Sequence, residues 1–281
     1  MKTTATVIAR NADGTVTVEV TRASACEGCH KKEAGGCSVC ALLGGGGYAE
    51  YAAVKYDMLM PIPKNCSFEQ ASAIPEAFAT AYLNLFIEGG LKAGDTLLMH
   101  AGASGLASVI IPMAKAFGAR IITTVITDEA ANSIKHLGAD IIVNSKKTDI
   151  LKVLEEQRDM GHPVDVAIDC LGGEIQGKCL QYMRYGGRWI MIATLAGDIT
   201  QVDLKKLYVL NVRLIGSTLR SKAPAFKAKL LASLVKNIWP KIETGEIMPT
   251  IYKVLPITQA EAAHAILERG ENVGKVVLHV K

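Results

Sequence analysis

No stretch of this chain reaches the roughly 20 consecutive apolar residues that a helical bilayer span needs, so no membrane span is predicted. No run of Lys or Arg concentrates the net charge of +4, and a mild, dispersed excess does not imply nucleic acid as a partner. Lys222, Lys227 and Lys229 do cluster, but at helical spacing, which reads as a solvated helix face. The opening residues, MKTTATVIARNADG, have no apolar core and predict no secretory leader. Seven cysteines without such a leader point to a reducing compartment, so a cytoplasmic protein is expected and disulfides are disfavoured. What is present is a globular composition, 49% hydrophobic and 21% charged, in 281 residues, enough for one large domain or two ordinary ones.

The cysteines are unevenly placed. TATVIAR and TVTVEVTR alternate apolar and polar residues around Asn11–Gly14, which predicts two strands and a turn. CEGCHKKEAGGCSVC follows, with four cysteines in fifteen residues. Cys26, Cys29, Cys37 and Cys40 form two Cys-x2-Cys pairs separated by seven residues, a spacing that could hold zinc or an iron–sulfur cluster. Free thiols without a ligand are the alternative. Cys66, Cys170 and Cys179 are isolated and read as small core residues. Past Gly44–Gly47 the cysteine-rich style stops, and the change predicts a junction between two proteins. YAEYAAV then reads as a strand, MLMPIP as an extended segment, and residues 68–86 as a helix broken or kinked at Pro75.

From residue 95 the rhythm changes. DTLLMHA, RIITTVI, DIIVN, VDVAIDC, GRWIMIA and VRLIGST are β-branched runs with little alternation, as expected when both faces of a strand are buried. Helical segments separate most of them, which predicts an α/β fold with a doubly wound parallel sheet. Two more helices, PAFKAKLLASLVKNIW and TQAEAAHAILERG, and strands near IYKVLPI and KVVLHV complete the chain.

The most informative turn is His100-Ala101-Gly102-Ala103-Ser104-Gly105-Leu106-Ala107, which follows a strand and opens a helix. A helix N-terminus there offers unpaired N–H groups to a pyrophosphate. Gly102 is expected to permit the tight turn and Gly105 the close approach of backbone to ligand, although the third glycine of a dinucleotide fingerprint is missing. The second strand ends at Thr127, which could bond a ribose or a phosphate. Asp128 and Glu129 follow, and Asp128 is expected to cap the next helix. Pro112 inside the helix after the turn predicts a kink.

GGGGYAEYAAV, IPEAFATAYLNLF, HAGASGLA, AIDCLGG, IGSTLRS and ENVGKVVL together resemble the quinone oxidoreductase branch of the medium-chain dehydrogenase/reductase superfamily, the zeta-crystallin-like, zinc-free enzymes, from about residue 39 to 281. The resemblance implies a Rossmann-type sheet and NADPH-dependent reduction of a quinone or similar electron-poor C=C or C=O compound, with NADH as the other possible cofactor. It implies that Gly102, Ala103, Ser104, Gly105, Leu106 and Ala107 hold the pyrophosphate and that Thr127 lies near the adenosine ribose. Ala193, Thr194, Leu195 and Thr80 would line the nicotinamide, and Asn272 would close over the cofactor. Glu76 stands where zinc-dependent relatives carry a cysteine ligand, so no catalytic zinc is expected and no general acid is named. Glu129 and Ala130 occupy the stretch where the family usually places basic residues for a 2′-phosphate. A homodimer through the sheet edge near VRLIGST is also implied.

The resemblance also implies that most of a GroES-like barrel is missing. The first residues instead resemble the RseC/MucC family of SoxR-reducing-system proteins. The alternative is the structural zinc lobe of zinc-containing medium-chain dehydrogenases, matched by the Cys-x2-Cys-x7-Cys portion. The expected organisation is a β-hairpin and cysteine module over residues 1–43, a truncated GroES-like remnant over 44–90, a Rossmann domain over 91–222 and a C-terminal return over 223–281. Two other functions stay open: a nucleotide-binding chimera without turnover, and an electron-transfer protein using the cysteine cluster.

Overall fold

The computed structural model describes residues 4–10, 16–21 and 38–280. The chain forms two compact units: residues 1–79, 222–245 and 249–281 make the first, and residues 80–221 with 246–248 the second.

In the first unit, β1 (Thr4–Arg10) and β2 (Val16–Thr21) pair antiparallel, with Val7 opposite Val18, as the alternation predicted. The intervening turn and the cysteines Cys26, Cys29 and Cys37 lie outside the described residues. β3 (Val39–Ala41) carries Cys40. β4 (Val54–Lys55) pairs with β1, Ala5 opposite Val54, so segments before and after the four glycines share one three-stranded sheet. β5 (Leu59–Pro61) pairs with β3. The strand expected over YAEYAAV is not formed. Tyr48 and Tyr51 are exposed there, which leaves nothing to reward a half-buried strand, and only Val54 joins a ladder. α1 (Phe68–Ser72) starts on a capping box: Gln70 N donates to the Ser67 hydroxyl and Ser67 N to the Gln70 side chain. α2 (Pro75–Tyr82) begins at the proline that separates it from α1, and a π-helical turn over Leu83–Glu88 follows.

The second unit is built on six parallel strands: β6 (Thr96–Met99), β7 (Arg120–Val125), β8 (Ile141–Asn144), β9 (Val164–Asp169), β10 (Met183–Met191) and β11 (Arg213–Gly216). Their spatial order is β11-β10-β9-β6-β7-β8. The connecting helices are α3 (Ala107–Ala116), which continues through Pro112, α4 (Asp128–Ser133), α5 (Ile150–Asp159), α6 (Gly173–Cys179) and α7 (Leu204–Val209). Leu97, Leu98, Ile121, Ile122, Val166, Ala167, Ile168 and Trp189 are buried, which is why these strands read as continuous apolar runs. The order reverses between β6 and β9. That is the topological switch point of a doubly wound sheet, where the carboxyl ends of the strands open a crevice.

α8 (Pro224–Glu243) returns the chain to the first unit, followed by β12 (Ile251–Pro256), α9 (Ala260–Glu268) and β13 (Lys275–His279). Trp239 on α8 donates its indole N–H to Pro61 O at 2.8 Å, which holds α8 against β5. β12 and β13 pair in parallel over a small core of Leu255, Ala263 and Ile266. Among the described residues no helix is long and apolar enough to cross a membrane.

Candidate functional site: the carboxyl edge of the six-stranded sheet

The strand β6 ends on Met99, and the chain must leave the sheet and enter α3 within a few residues. It does so by placing Ala101 in the left-handed region, φ 56°. Thr124 at the end of β7 fixes this turn. Its hydroxyl accepts from Ala101 N at 3.3 Å and lies 3.1 Å from His100 Nδ1, and its carbonyl accepts from Gly102 N at 2.7 Å. Gly102 is needed for a different reason from the one expected. A Cβ there would lie 2.4 Å from Thr123 Oγ1 and 2.9 Å from Ile134 Cδ1, so closeness to β7 rather than the turn's φ excludes a side chain.

Ser104 steadies the turn that leads into α3: its hydroxyl accepts from Ala107 N at 3.1 Å. The amides of Ala103, Gly105 and Leu106 meet no acceptor among the described residues. Three unclaimed N–H groups at the positive end of a ten-residue helix suit an anionic ligand.

Beneath the turn lies a buried polar cluster. Asp169, fully buried at the end of β9, accepts from Leu171 N at 2.7 Å and Gly172 N at 3.1 Å through Oδ1, and from Trp189 Nε1 at 3.0 Å through Oδ2. The His100 ring stacks obliquely on Trp189 with centroids 6.0 Å apart. Burial holds the His100 pKa below its ordinary 6.5, opposed by the Asp169 carboxylate, so the ring is neutral at pH 7. Among the described residues its Nε2 has no hydrogen-bond partner, and neither does the buried Ser217 Oγ just past β11. Burial also pushes the Cys170 thiol up to about 11 and Cys179 to about 12, which leaves both protonated and inert.

The loops after β9 and β10 are knitted together. Leu195 N donates to Cys170 O at 3.0 Å and Ala196 N to Leu171 O at 2.7 Å. Ala193 is exposed and Thr194 partly buried, while Leu195 and Ile199 are 78% and 87% exposed, leaving an apolar wall open at this edge. Thr80, on α2, accepts through its carbonyl from the buried Asn84 amide at 2.8 Å, in the π-helical turn.

At the far end of the crevice the cap of α4 is Thr127, whose hydroxyl accepts from Ala130 N at 3.1 Å. The cap expected at Asp128 is thus corrected: Asp128 instead accepts from Asn144 Nδ2 at 2.6 Å and from Lys147 Nζ. The hydrogen bonds from Lys147 and then Asn144 hold its carboxyl below the usual carboxylate range.

The structure therefore gathers Gly102–Ala107, Thr127 and Ala193–Leu195 along one edge of one sheet, within the second unit, which also contains Thr80. Asn272 belongs to the first unit, where its amide donates to Gly274 O at 2.8 Å. Sequence reasoning missed the roles of Thr124, which anchors the turn and meets His100 Nδ1, and of Asp169, which holds the loop after β9. The only signal was polar residues at the ends of otherwise apolar strands. Of the four expected metal ligands only Cys40 is described. It is a buried strand residue facing a cavity of about 360 Å3 that Val54, Phe68 and Val277 also line. Burial pushes its thiol up to about 12, the opposite of what a thiolate ligand needs. Among the described residues no group of three or more His, Cys, Asp or Glu side chains could hold a metal.

Comparison with known proteins agrees with this architecture. Residues 105–236 match the family described as Zinc-binding dehydrogenase, and residues 5–64 match the Alcohol dehydrogenase GroES-like domain. Highly-reducing polyketide synthase 1 of Aureobasidium melanogenum is 32% identical over 83% of this chain and 11% of its own length. Quinone oxidoreductase of Mus musculus is 27% identical over 83% of this chain and 69% of its own. Among solved structures, the quinone oxidoreductase from Thermus thermophilus, studied also as its complex with NADPH, superposes with a TM-score of 0.74 at 27% identity. That match covers 85% of this chain and 76% of the other. The chain spans only about a tenth of the polyketide synthase it matches.

The GroES-like match corrects the reading of the first residues. It runs across Gly44–Gly47 and takes in Cys26 to Cys40, so the resemblance to the RseC/MucC family and a separate cysteine module are not supported. The physical reason is the pairing of β1 with β4: cysteine density suggested a junction, but the backbone ladder joins the segments on either side of it.

Proposed function

The chain belongs to the medium-chain dehydrogenase/reductase superfamily, and from that premise we propose that it is an NAD(P)H-dependent, zinc-independent oxidoreductase. Its acceptor would be a quinone or a similar electron-poor alkene or carbonyl compound. The observation that carries this reading is the turn from Gly102 to Ala107, with three unclaimed amides at a helix N-terminus beside the switch point. The fit extends to two buried polar atoms that meet no partner among the described residues, His100 Nε2 and Ser217 Oγ, at the same edge.

In this reading Ala103, Gly105 and Leu106 hold the pyrophosphate through their N–H groups, Ser104 and Ala107 fix the helix start, and Gly102 keeps the turn against β7. Thr127 faces the adenosine ribose. Ala193, Thr194, Leu195 and Thr80 line the nicotinamide. When bound, the cofactor would supply the hydride; the residues supply position and a dry wall, and one proton from solvent completes reduction of a quinone to its hydroquinone. No zinc is assigned: Glu76, where a cysteine ligand would stand, lies 3.7 Å from Lys275 Nζ. The match to a highly-reducing polyketide synthase favours including conjugated alkenes among the acceptors.

The test is steady-state oxidation of NADPH and NADH with quinones and with conjugated enones. Acceptor-dependent turnover supports the reading, and none with any acceptor contradicts it. Two copies would pair through the edge strand β11, where Leu214 is 43% exposed and the ladder has no further partner strand among the described residues. Sedimentation should therefore show a dimer that Leu214→Lys dissociates; an unchanged monomer would contradict it.

A further inference from the structure

The first unit holds a cavity of about 360 Å3 bordered by β3, α1 and β13. Every residue that lines it belongs to that unit, so it is a different place from the carboxyl edge of the six-stranded sheet. We infer that this cavity binds a small apolar molecule that ends in a hydroxyl, with the hydroxyl lodged between Glu69 and His279. The inference does not depend on the dinucleotide site.

The space follows from the side chains around it. Ala41, Ala49, Ala52 and Ala71 line it, and their methyl groups leave open what larger side chains would fill. Val54, Phe68 and Val277 supply an apolar wall. Cys40 adds no charge there, because burial pushes its thiol up to about 12. Folded interiors keep few voids larger than a water molecule. An apolar space of this kind holds an apolar guest better than it holds water. Its volume lies at the small end of the roughly 300–1,000 Å3 typical of ligand pockets.

One polar pair interrupts the wall. Glu69 stands in the first turn of α1, whose start is fixed by the Ser67–Gln70 capping box. His279 ends β13, opposite Pro256 of β12. Both side chains are thus carried by regular elements rather than by loops. Glu69 Oε1 and His279 Nδ1 are 3.9 Å apart, past hydrogen-bond reach. The two side chains are 37% and 35% exposed, so the pair stands where the cavity meets solvent.

The pair selects the head of the guest. A carboxylate only accepts hydrogen bonds, so the head must donate to Glu69. The neighbouring carboxylate favours the proton on His279 Nδ1, so the head must also accept. A hydroxyl does both at once and closes the gap between the two side chains. An ammonium donates to Glu69 but has nothing to accept with, and a carboxylate sets a like charge against Glu69.

The test is calorimetric titration of the purified full chain with 1-octanol, beside 1-methoxyheptane, octanoate and octylamine. One 1-octanol per chain is expected to bind. 1-Methoxyheptane has the same number of heavy atoms but no donor, and should bind about tenfold more weakly, the loss of one hydrogen bond to a charged acceptor. Octanoate and octylamine should both bind more weakly than 1-octanol. Ala71→Leu fills the space and should remove binding without lowering the thermal midpoint. Glu69→Gln keeps the shape but not the charge. It should weaken 1-octanol by about fivefold and narrow its advantage over octanoate. The ligand series and Glu69→Gln decide the matter if Ala71→Leu does not fold. The proposal is overturned if 1-octanol does not saturate at one per chain, if any of the other three ligands binds as tightly, or if Glu69→Gln leaves the series unchanged. Displacement of 1-octanol by excess NADPH would also overturn it, by placing the alcohol in the other unit.

Discussion

The indole N–H of Trp189 donates to Asp169 Oδ2 at 3.0 Å, and neither residue is exposed to solvent. With Oδ1 holding Leu171 N and Gly172 N, this one carboxylate ties β10 to the loop that follows β9. That loop in turn carries the backbone of Leu195 and Ala196. Asp169→Asn offers a single acceptor oxygen to three donors. We expect it to lower stability by about 2–3 kcal/mol in urea unfolding, the cost of a buried group left unmet, and to weaken dinucleotide binding. An unchanged urea midpoint would remove Asp169 from the account of the site.

Ala101 and Gly102 should respond in opposite senses to exchange of a methyl group. Ala101 holds φ 56°, which favours glycine. Ala101→Gly is expected to stabilise the fold by about 0.5–1 kcal/mol, the relieved strain exceeding the added freedom of the unfolded chain. Gly102→Ala would press a Cβ to within 2.4 Å of Thr123 Oγ1. It should cost about 1–3 kcal/mol by overpacking. In the Gly102→Ala/Thr123→Ala double variant the total loss should be smaller than the sum of the two single losses. Thermal midpoints of the four proteins decide the matter, and additive losses would show that the two side-chain positions do not meet.

Stability should fall on acidification, in part through His100. Burial depresses its folded pKa, while the unfolded chain takes up the proton near the ordinary value of 6.5. Above that value the two states bind equal protons and His100 contributes no slope. Below it the unfolded state binds more, so stability falls as pH drops from about 6.5 toward 5. The urea midpoint of His100→Asn should therefore fall less steeply over this range than that of the wild type. Parallel slopes would mean that His100 titrates alike in both states.

Much of the second unit was legible because its strands are buried on both faces, so apolar runs such as VDVAID and RIITTV stand out from their helices. α7 was not foreseen: its six residues bury no side chain, so no amphipathic stripe marks it beyond the Asp203 cap. The helix expected over residues 68–86 became α1, α2 and a π-helical turn. Pro75 signalled the first division, but i→i+5 bonding has no sequence period to read. At the site, the glycine turn could be located from its place between strand and helix. Its anchor and the carboxylate that holds the neighbouring loop could not, because Thr124 reaches Ala101 and Asp169 reaches Trp189 across 23 and 20 residues. The same holds for Asp128, which looked like a helix cap until Lys147 arrived from the next strand. At the front of the chain, cysteine density misled because it says nothing about which strands pair.

The measurement that bears most directly on the account is a fluorescence titration of NADPH into the purified chain, repeated with NADH and competed with 2′,5′-ADP. Saturable binding of one dinucleotide per chain, displaced by 2′,5′-ADP and weakened in Gly102→Ala, is the predicted result. Failure of both dinucleotides to saturate would contradict the claim that the carboxyl edge of the six-stranded sheet is a dinucleotide site.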